Sequence, residues 1–319
     1  MRALVTGGAG FIGSNLVDAL LDRGAEVAVV DDLSTGRAEN LDAAQRRGIA
    51  FHEVDIRDAV RVRDAFAAAR PDIVFHLAAQ IDVRKSIEDP AWDASINVGG
   101  TINLLEVARL SGVSRVVNTS TGGAIYGDDV RTPTPETEPP RPMAAYGQSK
   151  FCAERYCGWY GRLYGMEAVT LRYGNVYGPR QDPHGEAGVI AIFAGRLLQG
   201  RRPTIYGDGR QTRDYTYVGD IVAANLAVAA HPEAHGEYNV GTGVESTVIE
   251  VVDALREAAG EDAPEFEPEF APVRAGEVLR SCLDVTRARM ELGFTASTSL
   301  VEGLRATLDA VRAETAASS

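Results

Sequence analysis

Ala3-Leu4-Val5-Thr6-Gly7-Gly8-Ala9-Gly10-Phe11-Ile12-Gly13, followed by Leu16, Val17, Leu20 and Leu21, decides the fold. An apolar run, a glycine turn and apolar residues at helical spacing read as strand, tight turn and amphipathic helix. Glycines at 7, 10 and 13 let the backbone approach a pyrophosphate at the helix N-terminus, where free N–H groups and the helix dipole favour negative charge. The spacing is G-x-x-G-x-x-G, one residue different from the standard dinucleotide fingerprint, and such a motif alone is a weak signal.

The surroundings strengthen it. Residues 26–30 form a second strand ending in Asp31-Asp32, about twenty residues beyond the turn, where a carboxylate accepts hydrogen bonds from a ribose 2′-hydroxyl and repels a 2′-phosphate. That favours NAD over NADP. Alternation continues with a strand at 49–54 ending in Asp55-Ile56, a helix at 58–69, and a strand at 73–76 that runs into Leu77-Ala78-Ala79-Gln80. A helix over about 90–110 and a strand at 115–118 follow. Such a pattern predicts an α/β fold, a doubly wound parallel sheet of Rossmann type with ligands at the strand C-termini. Asp55 is placed to hold an adenine amino group and Ala78-Ala79 to let a cofactor pass closely. His76, on a buried strand, reads as a packed histidine.

Ala145-Tyr146-Gly147-Gln148-Ser149-Lys150 puts a phenol and an amine on one face of a helix. A phenol of pKa about 10 becomes a usable base if a neighbouring ammonium, with an oxidised nicotinamide, stabilises its anion. In isolation the pair would be an ordinary amphipathic contact; the dinucleotide motif changes that reading. Thr119-Ser120-Thr121-Gly122-Gly123 sets small hydroxyls at the sheet's ligand edge, where one could hydrogen-bond a substrate oxygen beside Tyr146 or simply cap the chain locally. A proline-rich excursion over 132–142 leads back to the tyrosine helix.

After a strand at 168–172 the texture changes to a turn-rich loop over 173–180, a helix at 189–198, a short strand at 204–206 and a helix at 220–230. Beyond Val244, helices mix with an acidic, proline-containing stretch over 261–272. We therefore expect a dinucleotide-binding unit of 1–172 plus about 216–243, and a smaller mixed α/β substrate-binding unit of 173–215 plus 244–319.

The chain of 319 residues is 45% hydrophobic and carries a formal charge of −13, which argues against nucleic acid or an anionic membrane as partner. Any anionic ligand must be met by locally placed arginines and helix N-termini. Cys152, Cys157 and Cys282 are odd in number with no C-x-x-C, so neither a disulfide framework nor a metal site is expected. No apolar run approaches the roughly 18 residues of a membrane span, and the chain opens on a strand pattern, so a cytoplasmic enzyme is expected.

Together, the glycine turn, His76-Leu77-Ala78-Ala79, Asn97 with Gly100-Thr101, Tyr146 with Lys150, the run from Arg172 to Pro179, and Arg213-Asp214-Tyr215 resemble the extended short-chain dehydrogenase/reductases. Within them the chain resembles the UDP-galactose (UDP-glucose) 4-epimerases over nearly its whole length. The resemblance implies Tyr146 as base, Lys150 as the ribose-binding residue that lowers its pKa, and Thr121 as the hydroxyl guiding O4, with Ser120 the adjacent candidate. For NAD it implies Gly7, Gly10, Phe11 and Ile12 at the turn, and Asp31, Asp32, Ser34 and Gly36 at the ribose. Asp55 and Ile56 fall at the adenine. Leu77, Ala78, Ala79, Gln80, Asn97 and Tyr173, together with Tyr146 and Lys150, complete the cofactor site. For a UDP-sugar it implies Asn175, Arg213 and Arg274 at the diphosphate, Glu277 at the uridine ribose and Tyr206 at the base, with Thr121, Gly122, Tyr146 and Val189 lining the rest. Ser281 stands where a bulky residue would exclude N-acetyl sugars, and so leaves space for them. Helices near 90–110 and 147–163 match those that pair in family homodimers.

Related 4,6-dehydratases carry Asp-Glu where this chain has Gly122-Gly123, so dehydration is not expected, nor is decarboxylation by a glutamate at this loop. A UDP-glucuronate 4-epimerase would need a cation near C6; the loop offers Glu186, with Arg180 or His184 as possible rescuers. A net NAD-dependent oxidoreductase would release its cofactor in the other redox form. A non-catalytic NAD sensor would have no reason to keep Tyr146 and Lys150.

Overall fold

The computed structural model describes residues 1–183, 188–260, 264–273 and 278–317. Successive strand residues point to opposite faces of a sheet, and here both faces are apolar. Val5, Val29, Phe75 and Val117 enter one core, while Leu4, Val30, Val74 and Val116 enter another. A sheet buried on both sides requires helices on both sides and parallel pairing.

The central sheet has seven strands in the order Gly236–Val240, Glu167–Tyr173, Arg115–Thr121, Ile73–His76, Arg2–Thr6, Glu26–Asp31, Ala50–Glu53, all parallel. The chain runs outward from Arg2–Thr6 to one edge and then resumes on its other side at Ile73–His76. The order therefore reverses between these two strands, and the crevice beyond their C-termini is where such folds receive ligands. The doubly wound α/β expectation holds.

A second apolar cluster forms away from the sheet, where Phe193, Leu197, Val251, Leu255, Leu304 and Leu308 interlock the helices Val189–Leu198, Val248–Ala259 and Leu300–Ala317. Three two-stranded pieces border it: Asn175–Tyr177 with Tyr215–Tyr217, Thr204–Tyr206 with Glu269–Ala271, and Thr212–Arg213 with Ser246–Thr247. Ala288, Leu292 and Phe294, late in the chain, return to the sheet's own core.

The helix expected over 90–110 is interrupted. Pro90–Ala94 and Thr101–Leu110 are joined by a π-helical stretch, Ser95–Gly100, which carries Asn97. A side chain at Gly100 would place its Cβ 2.5 Å from Ile56 Cδ1. The widened turn thus lies directly against the residue expected at the adenine; such bulges often mark functional sites. Among the described residues, no helix is long and apolar enough to cross a membrane.

Candidate active site

The glycine turn and the end of strand Ile73–His76 meet so closely that side chains have no room. A Cβ on Gly7 (φ +69°) would sit 2.6 Å from Ala78 N, and one on Gly13 would sit 2.1 Å from Gly7 O. This contact leaves the first-turn N–H groups of helix Phe11–Asp22, at Phe11 and Ile12, facing the crevice without intrahelical acceptors. Asp31 braces the same edge, accepting from Ala9 N and Leu33 N at 2.9 Å each, and burial raises its carboxyl pKa. Gly36 packs against Asp31 and Ala9, and Asp32 accepts from Ser34 N and Oγ. A cradle that a single Cβ would fill, ending on two carboxylates, fits a dinucleotide whose ribose keeps its 2′-hydroxyl.

Other residues expected at the cofactor act differently. Asp55 is engaged by its neighbour, accepting from Arg57 N at 2.8 Å and Arg57 Nε at 2.9 Å, so an adenine amino group would have to share it. Asn97 is buried and wholly committed. Its Oδ1 accepts from Gln80 N, while its Nδ2 donates to Gln80 O and Asp93 Oδ1. Gln80 spends its side chain inward too, donating to Asp82 O and Asp93 Oδ1. These two residues shape the Leu77–Gln80 turn through hydrogen bonds of their own. Tyr173 likewise turns its hydroxyl into the core, against Thr119 Oγ1 and Asn225 Nδ2.

His76 is the packed residue expected. Thr6 Oγ1 accepts from Ala78 N and lies 2.7 Å from His76 Nδ1; Thr101 Oγ1 donates to Asn97 O and lies 3.0 Å from His76 Nε2. With Thr101's proton committed, Nε2 carries the ring proton and Nδ1 accepts from Thr6. Burial, with Lys150 nearby, pushes its pKa down to about 3, so the ring is neutral.

Tyr146 and Lys150 sit on one face of helix Ala145–Tyr164, beside the C-terminal edge of strand Arg115–Thr121. Tyr146 N donates to Ser86 Oγ at 3.0 Å, fixing the helix start against Val83–Glu88. The Thr121 side chain acts on the Tyr146 phenol, lowering its pKa, and accepts from Ala124 N, capping the short helix Gly122–Ile125. The local capping reading of Thr121 is met. Ser120 Oγ is buried with no hydrogen-bond partner among the described residues.

Burial pushes the Tyr146 phenol up to about 12, opposed by Thr121 and assisted by Asp93. Burial also pulls Lys150 down to about 8, with Glu154 the main opposing influence. The desolvation of both groups outweighs the help that an ammonium gives a phenolate.

On the substrate side, Asn175 Oδ1 is buried without a partner among the described residues, 3.3 Å from where a Gly123 Cβ would lie, and a Gly122 Cβ would strike Leu283. Arg213 bonds its own strand through Thr212 O, Tyr206 is half-buried, and Ser281 N donates to Thr212 O. Val189 opens helix Val189–Leu198. Arg274, Glu277, His184 and Glu186 lie outside the described residues. Arg180 pairs with Asp18 on helix Phe11–Asp22 at 2.6 Å.

Sequence reasoning passed over two residues. Asp214, buried, accepts from Thr242 N and Oγ1, Gly243 N, Thr216 Oγ1 and Leu283 N, and so fixes the wall opposite Gly122. Asp93, also buried, joins Gln80 and Asn97. A usable signal for Lys150 was present: only two of the 32 basic residues are lysines, Lys85 and Lys150.

The chain matches the model of the NAD dependent epimerase/dehydratase family over residues 3–241. It is 48% identical over 313 residues to the UDP-glucose 4-epimerase of Mycolicibacterium smegmatis, covering 98% of this chain and 99% of that one. A UDP-glucose 4-epimerase of Thermotoga maritima, solved with UDP-glucose, superposes with a TM-score of 0.93 at 46% identity, covering 99% of this chain and 100% of its own. The Thermus thermophilus UDP-glucose 4-epimerase, solved with NAD, gives 0.89 at 48% identity, covering 98% and 99%. The phenol, hydroxyl and amine at the edge of a glycine-turned dinucleotide fold are thus set in a chain that belongs to the NAD dependent epimerase/dehydratase family.

Proposed function

We propose that this chain is an NAD-dependent 4-epimerase of UDP-hexoses, interconverting UDP-glucose and UDP-galactose with room for the N-acetylhexosamine pair. The observation that carries the reading is the Thr121–Tyr146–Lys150 group at the cofactor crevice, with Gly122 and Gly123 in place of acidic side chains. A base is present and no acid stands ready to expel a 6-hydroxyl.

Tyr146, as phenolate, takes the proton of the sugar 4-hydroxyl and later returns it. Thr121 supports that state: its oxygen already accepts from Ala124 N, so its own proton is available to the Tyr146 oxygen. Lys150 contributes a buried cation. When bound, NAD would supply the hydride acceptor and donor for C4 and a positive charge beside the phenol. The 4-keto sugar turns over in the site before reduction on its other face, and net redox change is zero. Asn175, Arg213, Tyr206, Val189 and Ser281 would hold the nucleotide sugar, with Arg274 and Glu277. We read 1–172 with about 216–243 as the cofactor unit, and 173–215 with 244–319 as the sugar-nucleotide unit. A homodimer belongs to the same proposal. Trp159, Leu163 and Tyr164 stand exposed on helix Ala145–Tyr164, and Leu110 on Thr101–Leu110.

Purified protein, with no NAD added, should convert UDP-glucose to its 4-epimer when followed by proton NMR. UDP-N-acetylglucosamine and UDP-glucuronate, run in parallel, rank the sugars; faster turnover of the glucuronate would displace the proposed substrate. Absence of any 4-epimer, even with NAD supplied, would sink the reading.

A further inference from the structure

Asp93 lies on helix Pro90–Ala94, with no solvent exposure, and its two oxygens are treated unequally. Oδ1 accepts from Gln80 Nε2 at 2.8 Å and Asn97 Nδ2 at 3.0 Å, whereas buried Oδ2 has no partner among the described residues. An asparagine could accept the same two bonds through its Oδ1. What it could not supply is charge. A buried carboxylate facing only neutral donors is costly unless a cation lies near. The helix packed against this one carries such a cation: Lys150, 4% exposed, has no hydrogen-bond acceptor among the described residues.

We propose that Asp93 is a second buried counter-charge of the Tyr146–Lys150 pair, beside Glu154, and a positioning residue that sets the pH range over which phenol and amine exchange protons. Its field favours the Lys150 ammonium and disfavours the Tyr146 phenolate. Among the charged groups facing the pair, Asp93 is the one that acts on both of its members. His76, from strand Ile73–His76, is neutral. Glu154, one turn along the same helix, supports the ammonium but is shared with Arg172 of strand Glu167–Tyr173 through bonds of 2.6 and 3.0 Å. Cys157 is held as a thiol, burial pushing its pKa up to about 12. Thr121 and Ser86 carry no charge. Arg84, Lys85 and Glu88 of helix Val83–Glu88 are exposed, and Glu106 of helix Thr101–Leu110 pairs with Arg109 at its surface.

Because Asp93 acts in the same direction on both groups, removing its charge lowers both titrations. The test exploits the scarcity of lysine. Protein labelled with 13C at lysine Cε, as purified with its dinucleotide, gives two signals, and Lys85→Arg assigns them. In Asp93→Asn the Lys150 midpoint should fall by roughly one pH unit while Lys85 stays in place. This arm needs no turnover, so it stands apart from the epimerase reading on which the kinetic arm rests. There, both limbs of the kcat/KM profile should move to lower pH. An unmoved Lys150 midpoint overturns the proposal. Lost activity with unmoved limbs also overturns it, and confines Asp93 to holding Gln80 and Asn97. Asp93→Ser provides a second neutral variant should the asparagine protein fail to fold, with the same shift expected.

Discussion

Replacing Lys150 by methionine should abolish turnover and yet stabilise the fold at neutral pH. Burial lowers the Lys150 pKa from 10.5 to about 8, so between these values the unfolded chain binds a proton that the folded chain does not. For a group whose folded pKa is depressed, stability is present in full above the unfolded value and is lost as pH falls through the folded one. Below about pH 8 the folded protein therefore carries a penalty of about 3 kcal/mol, taking about 1.4 kcal/mol per unit. Methionine has similar length and no charge, and escapes it. With an unfolding entropy of about 2 cal/mol/K per residue, a 319-residue chain should gain about 4–5 °C in Tm. Urea unfolding of both proteins, freed of dinucleotide, from pH 7 to 10.5 follows the effect, because groups distant from Lys150 titrate alike in both. The variant should lead by about 3 kcal/mol at pH 7 and by less than about 0.5 kcal/mol at pH 10.5. A variant less stable than wild type at pH 7, or a gap that does not close as pH rises, would refute the reasoning.

Tyr146→Phe removes the proton acceptor while keeping the ring, so kcat should fall roughly 100- to 10,000-fold with the dinucleotide retained. NMR turnover and the dinucleotide absorbance of the purified variant check both halves; more than a tenth of wild-type turnover, or a protein emptied of dinucleotide, contradicts the assignment. Gly13→Ala puts a Cβ 2.1 Å from Gly7 O, backbone that can yield only by moving the turn. It should cost about 1–3 kcal/mol and release the dinucleotide on gel filtration; retention at wild-type level would show that the turn tolerates the shift.

What could be read from the sequence was local in origin. The glycine turn is a steric requirement within a few residues, and Tyr146 and Lys150 are brought together by helical spacing alone. The doubly wound sheet followed from alternating periods of two and 3.6. What escaped depends on partners distant in sequence. Nothing around Asn97 announces the π-helical stretch that turns its amide towards Gln80 and Asp93, and nothing around Tyr173 reveals that Asn225 claims its hydroxyl. Asp214 lay in plain view in its motif, but its five hydrogen bonds come from residues up to 69 positions away. The burial around the phenol is of the same kind: helical spacing gives proximity, while the burial that raises Tyr146 to about 12 comes from the whole fold.

The edge that would receive ligands satisfies its polar atoms less fully than the wall opposite. Asp214 has five donors, whereas Asp93 Oδ2, Ser120 Oγ and Asn175 Oδ1 are buried with none among the described residues. A sugar nucleotide bound at this edge would offer such atoms hydrogen-bond partners. The glycines that follow Thr121 belong to the same economy of space. A side chain at Gly123 would begin 3.3 Å from Asn175 Oδ1, and one at Gly122 would begin 2.6 Å from Leu283, which Asp214 holds through its backbone N–H. Adding acidic residues at both positions would therefore press on Asn175 and on the wall that Asp214 fixes. Acidic side chains at this edge would thus displace the Leu283 and Asn175 side chains as well as add charge, and the paired glycines carry chemical meaning beside the base.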